Sequence, residues 1–222
     1  MADKKEMTLR SAAFQKILLA VIAGVGWYAL SLQFYLMVQN SEANGMTVTR
    51  SVTNFFSYFT ILSNLLVAVS TTARLLAPSG NIGRFFSRIT TYSAICLYIT
   101  IVGLVYSIAL RKIWNPQGQQ LIADRLLHDV IPLLCLLNWI IFTPKRQLTW
   151  KNVLPWLLFP AAYLAYTLIR GNSTGWYPYP FIHAGELGYG KVALNAAMVL
   201  VAFIAVGTML IAINRMSKSD SA

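Results

Sequence analysis

An all-α, polytopic membrane bundle is the fold class this sequence predicts, and three observations predict it. Hydrophobic residues make up 57% of the 222 residues, charged residues only 11%, and mean hydropathy is +0.58. A soluble domain carries about 25% charged residues, so there is too little charge here to cover a water-facing surface. The charges are also spaced so that six apolar stretches lie between them, and a membrane crossing needs about 20 such residues. Disordered, collagenous and disulfide-scaffold classes are excluded by the same composition. The formal net charge of +11 does not point to nucleic acid, because the basic residues are scattered between apolar runs rather than clustered.

Reading between the charges predicts one domain over residues 1–222, with helices at 14–39, 51–73, 89–110, 118–142, 152–169 and 192–214. The first is charge-free from Ile17 to Ser41. That is longer than the roughly 7–15 apolar residues of a secretory signal, so a retained helix is expected. Arg50 and Arg74 bound the second stretch, and Arg88 and Arg111 the third. The fourth carries Asp124, Arg125, His128 and Asp129 in its first half, and it counts as a crossing because 130–144 alone is too short. Lys151 and Arg170 bound the fifth, Lys191 and Arg215 the sixth. Of the 18 basic residues, twelve fall on the side of the two termini and six on the other. The positive-inside rule therefore predicts both termini in the cytoplasm. No helix pair or triple repeats, which argues against an inverted-repeat transporter.

Cys96 and Cys135 fall inside predicted helices and read as small buried hydrophobes. No ligand spacing for a metal appears, nor an ATP or dinucleotide fingerprint, so neither metal nor cofactor is expected.

Polar residues inside a bilayer are costly and tend to face a bundle interior or a cavity. In the second helix Thr53, Ser57, Thr60, Asn64 and Thr71 recur at helical spacing and share a face. Close helix packing through small hydroxyls explains that face as readily as chemistry does. In the fourth helix His128 precedes Pro132 by four residues. Proline leaves the His128 carbonyl without its helical N–H partner and predicts a kink. Asp124, one turn earlier on the same face, is placed to orient the imidazole; Asp129 is rotated away by about 100°. A histidine satisfied by a neighbouring helix is the plain alternative. Thr60 and His128 lie nine and ten residues in from the outer ends of their helices, which puts both about 14 Å deep. A hydroxyl and an imidazole at one depth are the material of a nucleophile and a general base. The last loop holds Trp176, Tyr177, Tyr179, Phe181 and Tyr189, with Pro178 and Pro180 enforcing extended backbone. Such a segment reads either as a lid or as an interfacial aromatic belt. His183 and Glu186 read as a solvated pair.

Taken together, these segments resemble the androgen-induced membrane protein family, which includes the androgen-dependent TFPI-regulating protein and bacterial relatives. Tyr58-Phe59-Thr60, His128 with Pro132, and Trp176 followed by Tyr179-Pro180-Phe181 carry the resemblance. FFSYFTILSNLL, WYPYPF and Gly188-Tyr189-Gly190-Lys191-Val192 point to its bacterial branch. The resemblance implies an intramembrane hydrolase of fatty acid esters of hydroxy fatty acids or related lipids. It implies Thr60 as nucleophile, His128 as base and a bacterial cytoplasmic membrane as the location. A membrane lipid or fatty ester would be the partner, with the bilayer itself and no nucleic acid. Asn64, one turn from Thr60, is the candidate oxyanion donor and Asp124 the candidate orienter. Ser57, Trp176, Tyr179 and Phe181 are candidates for a substrate pocket or lid. The sequence departs from the animal members of that family at Asp129 and at Asn138-Trp139. Two other classes fit the residues alone. One is a transporter or lipid-binding protein with a His128–Asp124 polar site, and the other a structural membrane protein glued by its polar faces.

Overall fold

A computed structural model describes the backbone of residues 2–43 and 45–216, with side chains from residue 11 onward except at 42. Lys4, Lys5, Arg10 and Lys218, which carry part of the predicted charge asymmetry, lie outside the described side chains. The chain is 84% helical, and no strand occurs among the described residues. Six helices are long and apolar enough to cross a membrane: Ser11–Ser41, Phe59–Leu76, Ile89–Leu110, Gly118–Phe142, Trp150–Thr174 and Tyr189–Met216. The connections after the first, third and fifth of these helices, at 45–58, 111–117 and 175–188, form what is here the site face.

The third span occupies 89–110, between its bounding arginines, and the fourth occupies 118–142, the apolar stretch that carries Asp124, Arg125 and Asp129. The fifth and sixth run past Arg170 and Lys191, because a flanking basic side chain reaches the interface from inside a helix. The second predicted helix, 51–73, is the substantive correction. It is two helices, Val48–Phe55 and Phe59–Leu76, separated by a break at residues 56–58. Tyr58 is extended there (φ −87°, ψ 128°). The predicted proline kink in the fourth span is also different in kind. A single π-helical turn covers Leu126–Val130, closed by the Ile131 N–H on the Leu126 carbonyl, and α-helix resumes at Ile131. Such a turn adds one residue to the helix and is common at functional sites. The third span ends in a second one, Tyr106–Leu110.

Small residues set the closest approaches, as membrane helices require. A Cβ on Gly26 would stand 3.2 Å from that of Ala68, and Trp27 donates to the Thr72 hydroxyl at 3.0 Å, locking the first span to the second. A Cβ on Gly103 would lie 3.1 Å from the His128 carbonyl oxygen and 3.3 Å from Pro132 Cβ. The third span therefore covers the carbonyl that Pro132 leaves unpaired. Cys96 and Cys135 are both buried and form no disulfide. They lie beside Tyr92, whose O–H donates to Asn138 Oδ1 at 2.8 Å. Across from them the Asn214 amide closes the 143–149 connection by accepting from Gln147 and Leu148 and donating to Pro144.

Gly171 fixes the last loop. The ring of Tyr177 lies over it so tightly that a Cβ would come within 2.0 Å of the ring. Gly171→Ala is expected to push Tyr177 off the fifth span and lower thermal stability in detergent by about 1–3 kcal/mol, the usual cost of overpacking. An unchanged unfolding midpoint would show that the loop does not depend on this contact.

Candidate active site

The break at residues 56–58 sets the site in place. Breaking a helix inside an apolar bundle strands backbone polar groups, and each stranded group must find a partner. Two tyrosines supply them. Tyr163 of the fifth span donates its O–H to the Ser57 carbonyl at 2.9 Å and accepts the Phe59 N–H at 3.2 Å. Tyr179 of the last loop accepts the Thr60 N–H at 3.1 Å. Thr60 thus sits in the first turn of an 18-residue helix that starts within the bundle. It is 8% exposed, and that exposure faces two cavities.

Thr60 Oγ1 is 3.4 Å from His128 Nε2 and 3.2 Å from the Tyr179 hydroxyl. The other imidazole nitrogen, Nδ1, is 3.0 Å from the Asp124 carbonyl oxygen and 3.2 Å from Asp124 Oδ1. Asp124 is buried, and its second oxygen accepts the Tyr106 O–H. The Tyr106 ring also stacks on the imidazole, 4.0 Å between centroids and 15° between planes. His128 is therefore held on one face and at one nitrogen, leaving Nε2 toward Thr60.

Proton positions follow from these partners. Both Asp124 acceptors lie at Nδ1, so Nδ1 carries the imidazole proton and Nε2 is the acceptor. The Thr60 O–H then points to Nε2. Tyr179 receives the Thr60 N–H, which leaves its own O–H to point at Thr60 Oγ1 or at a group bound beside it. Burial pushes the Tyr179 phenol up to about 12, so it remains a donor at any lower pH.

Asn64 does something other than face a substrate. Its amide N–H groups go to the Thr60 carbonyl at 2.8 Å and the Leu127 carbonyl at 3.2 Å. It is fully buried and ties the second span to the π turn that carries His128. Ser57 also lies behind the site, its hydroxyl donating to the Thr53 carbonyl and paired with Tyr166. Trp176 packs edge-on against Tyr58 and under Arg170. Asp129 pairs with Arg111 and Arg125, away from the imidazole. His183 and Glu186 are 3.4 Å apart in the loop.

Two cavities meet at Thr60. One, of about 650 Å³, lies between the third, fifth and sixth spans and is walled by aliphatic and aromatic groups, Phe181 among them. The other, of about 570 Å³, lies toward the first and fourth spans and includes His128, Asp124, Gln33, Asn40 and Gln120. Thr60, Tyr106, Leu110 and Tyr179 line both. Tyr106 and Tyr163 are the site residues that sequence reasoning missed. Aromatic residues near helix ends suit an interfacial belt, and nothing in their spacing marks them out.

The chain matches no family model, no curated protein and no solved structure, so the site's own geometry must carry its functional reading.

Proposed function

We propose that this protein is an intramembrane hydrolase of lipid esters, with Thr60 as nucleophile and His128 as general base. The observation that carries the reading is the approach of Thr60 Oγ1 to His128 Nε2 while Asp124 holds Nδ1. A nucleophile, a base within reach and a third group orienting that base form the arrangement that activates a hydroxyl. The family resemblance implies the same pair, and with it fatty acid esters of hydroxy fatty acids or related lipids as substrates. Charge asymmetry in the sequence supports cytoplasmic termini with the site face outside, and the resemblance implies a bacterial cytoplasmic membrane.

In the first step Thr60 Oγ1 bonds to the ester carbonyl carbon as its proton passes to His128 Nε2. The carbonyl oxygen becomes an oxyanion. The Tyr179 O–H, adjacent to Thr60 Oγ1, is the donor placed to receive it. The alkoxy C–O bond then breaks, and the imidazolium returns the proton to the departing oxygen. Water adds to the acyl-threonine with His128 again as base, releasing the fatty acid and restoring the Thr60 hydroxyl. Asp124 stabilises the imidazolium in both steps, and Tyr106 stabilises Asp124.

Tyr179→Phe keeps the ring and removes the donor beside Thr60 Oγ1 together with the acceptor of the Thr60 N–H, so its unfolding midpoint is read alongside. It is expected to lower kcat by about 10²–10³-fold with little change in KM, the usual cost of losing an oxyanion donor. Equal kcat in both proteins would assign the oxyanion to another group. The nucleophile itself is tested by labelling purified protein with a long-chain alkyl fluorophosphonate and mapping the adduct by mass spectrometry. An adduct on Thr60 that disappears in His128→Ala is the expected result. An adduct confined to Ser57 or another hydroxyl would overturn the assignment.

A further inference from the structure

We infer that this protein also transfers acyl chains: the acyl-threonine formed at Thr60 passes its fatty acyl group to the hydroxyl of a second hydroxy fatty acid as well as to water. This rests on the hydrolase reading above. It is carried by the two cavities that meet at the nucleophile, because they can hold the two arms of an ester apart.

His128 assigns the arms. It lines the cavity toward the first and fourth spans and not the one between the third, fifth and sixth. The leaving oxygen takes its proton from His128 Nε2, so the alcohol arm lies on the His128 side. The acyl chain then has the other cavity, whose wall along the sixth span is Ala193, Ala196, Ala197 and Leu200, one face of that helix. Each methylene takes about 30 Å³ if it fills roughly the share of one water molecule. The 650 Å³ on this side and the 570 Å³ on the other are then each large enough for one long chain.

Separate cavities matter once the first bond has broken. The hydroxy acid departs, while the acyl chain stays tethered to Thr60 in a space of its own. The cavity beside His128 is vacated, and it is the size of another hydroxy acid rather than of a single water. Met37, Ile61 and Leu127 are among its walls, and such side chains favour a hydrocarbon chain over water. Its lining also includes Met46, Trp114 and Pro178, one residue from each connection of the site face. An acceptor lying here can keep its carboxylate at that face, in water, with its hydroxyl reaching inward to His128.

The transfer is the acylation step run in reverse with a different alcohol. The acceptor oxygen bonds to the acyl carbonyl carbon as its proton passes to His128 Nε2. The Tyr179 O–H, in the wall of both cavities, again receives the oxyanion. The bond from that carbon to Thr60 Oγ1 then breaks, and the imidazolium returns the proton to Oγ1. One ester is consumed and one formed, so no oxidant, reductant or energy source is required.

A donor with a small alcohol isolates the acceptor's choice of space. Purified protein in lipid nanodiscs is given p-nitrophenyl palmitate and a deuterated hydroxystearic acid. Nitrophenol reads acylation, free palmitate reads hydrolysis, and the deuterated palmitoyl ester, detected by mass spectrometry, reads transfer. The expected result is labelled ester amounting to at least about one-tenth of the palmitate released, with all three products lost in Thr60→Ala. Met37→Trp and Ile113→Trp, which narrow the His128-side cavity, should each lower the ratio of transfer to hydrolysis by about tenfold. Ala197→Phe, in the other cavity, should instead lower kcat/KM for the palmitoyl donor relative to the octanoyl donor by about tenfold. Thr60-dependent release of nitrophenol and palmitate without labelled ester overturns the transfer inference and leaves the hydrolase standing. A transfer ratio that neither tryptophan variant lowers also overturns it, because the acceptor then occupies another space. No Thr60-dependent cleavage of this donor or of the palmitate ester of a hydroxystearic acid overturns the hydrolase reading, and this inference with it.

Discussion

Thr60→Ala is expected to lower ester turnover by on the order of 10⁴-fold or more while the protein keeps its thermal unfolding profile. Removing a nucleophile from a coupled nucleophile–base pair typically costs that much, and removing the partner costs about the same. His128→Ala should therefore fall to a similar floor, and the double variant should be no slower than either single one. This non-additivity separates joint chemistry from two independent packing defects, whose effects would multiply. Thr60→Ser keeps the hydroxyl beside His128 Nε2 and Tyr179 and should retain substantial activity. Released fatty acid, measured under single-turnover conditions, reads the chemical step directly. Wild-type rates in Thr60→Ala would remove the nucleophile assignment.

The second large effect belongs to Asp124, which acts through His128. Asp124→Asn offers one acceptor oxygen where two are needed, because Tyr106 O–H and His128 Nδ1–H occupy different carboxyl oxygens. An amide N–H facing Nδ1 would favour the imidazole tautomer with its proton on Nε2, where it cannot accept from Thr60. Loss of tautomer control in an otherwise intact triad lowers kcat by about 10⁴-fold. A fall of about 10³–10⁴ in kcat with KM nearly constant is the expected result here. Tyr106→Phe leaves both carboxyl oxygens in place and should be milder, by about tenfold. A purely structural Asp124 would instead show as loss of folded protein, with normal kcat in the fraction that survives.

Much of this molecule is legible in its sequence for a simple reason: lipid tolerates few charges, so the charges mark the spans. The third span follows its bounding residues closely. The break before Thr60 is not legible, because no glycine or proline occurs at residues 56–58 to announce it. It is held from outside by Tyr163 and Tyr179, more than 100 positions away in the chain. The depth estimate nevertheless put Thr60 level with His128, since Val48–Phe55 contributes helical rise ahead of the break. Asn64 shows where spacing misleads. A side chain one turn further along leans back toward the preceding carbonyl, so the Asn64 amide meets the backbone of Thr60 and not its hydroxyl. Tyr179 has the opposite history. Composition leaves its segment open between a lid and an aromatic belt, and the fold places its oxygen beside Thr60.

The two tyrosines that hold the break also impose an order on biosynthesis. Synthesis proceeds from the N-terminus, so Thr60, Tyr106, Asp124 and His128 are all made before Tyr163 and Tyr179. Until the fifth span and the following loop arrive, the Phe59 and Thr60 amides lack the phenolic partners they have in the finished fold. The emerging chain accordingly has its reactive groups early and its competent backbone late. A chain cut before Tyr163 would keep Thr60, Asp124 and His128 and lack both phenols that partner the backbone at the break.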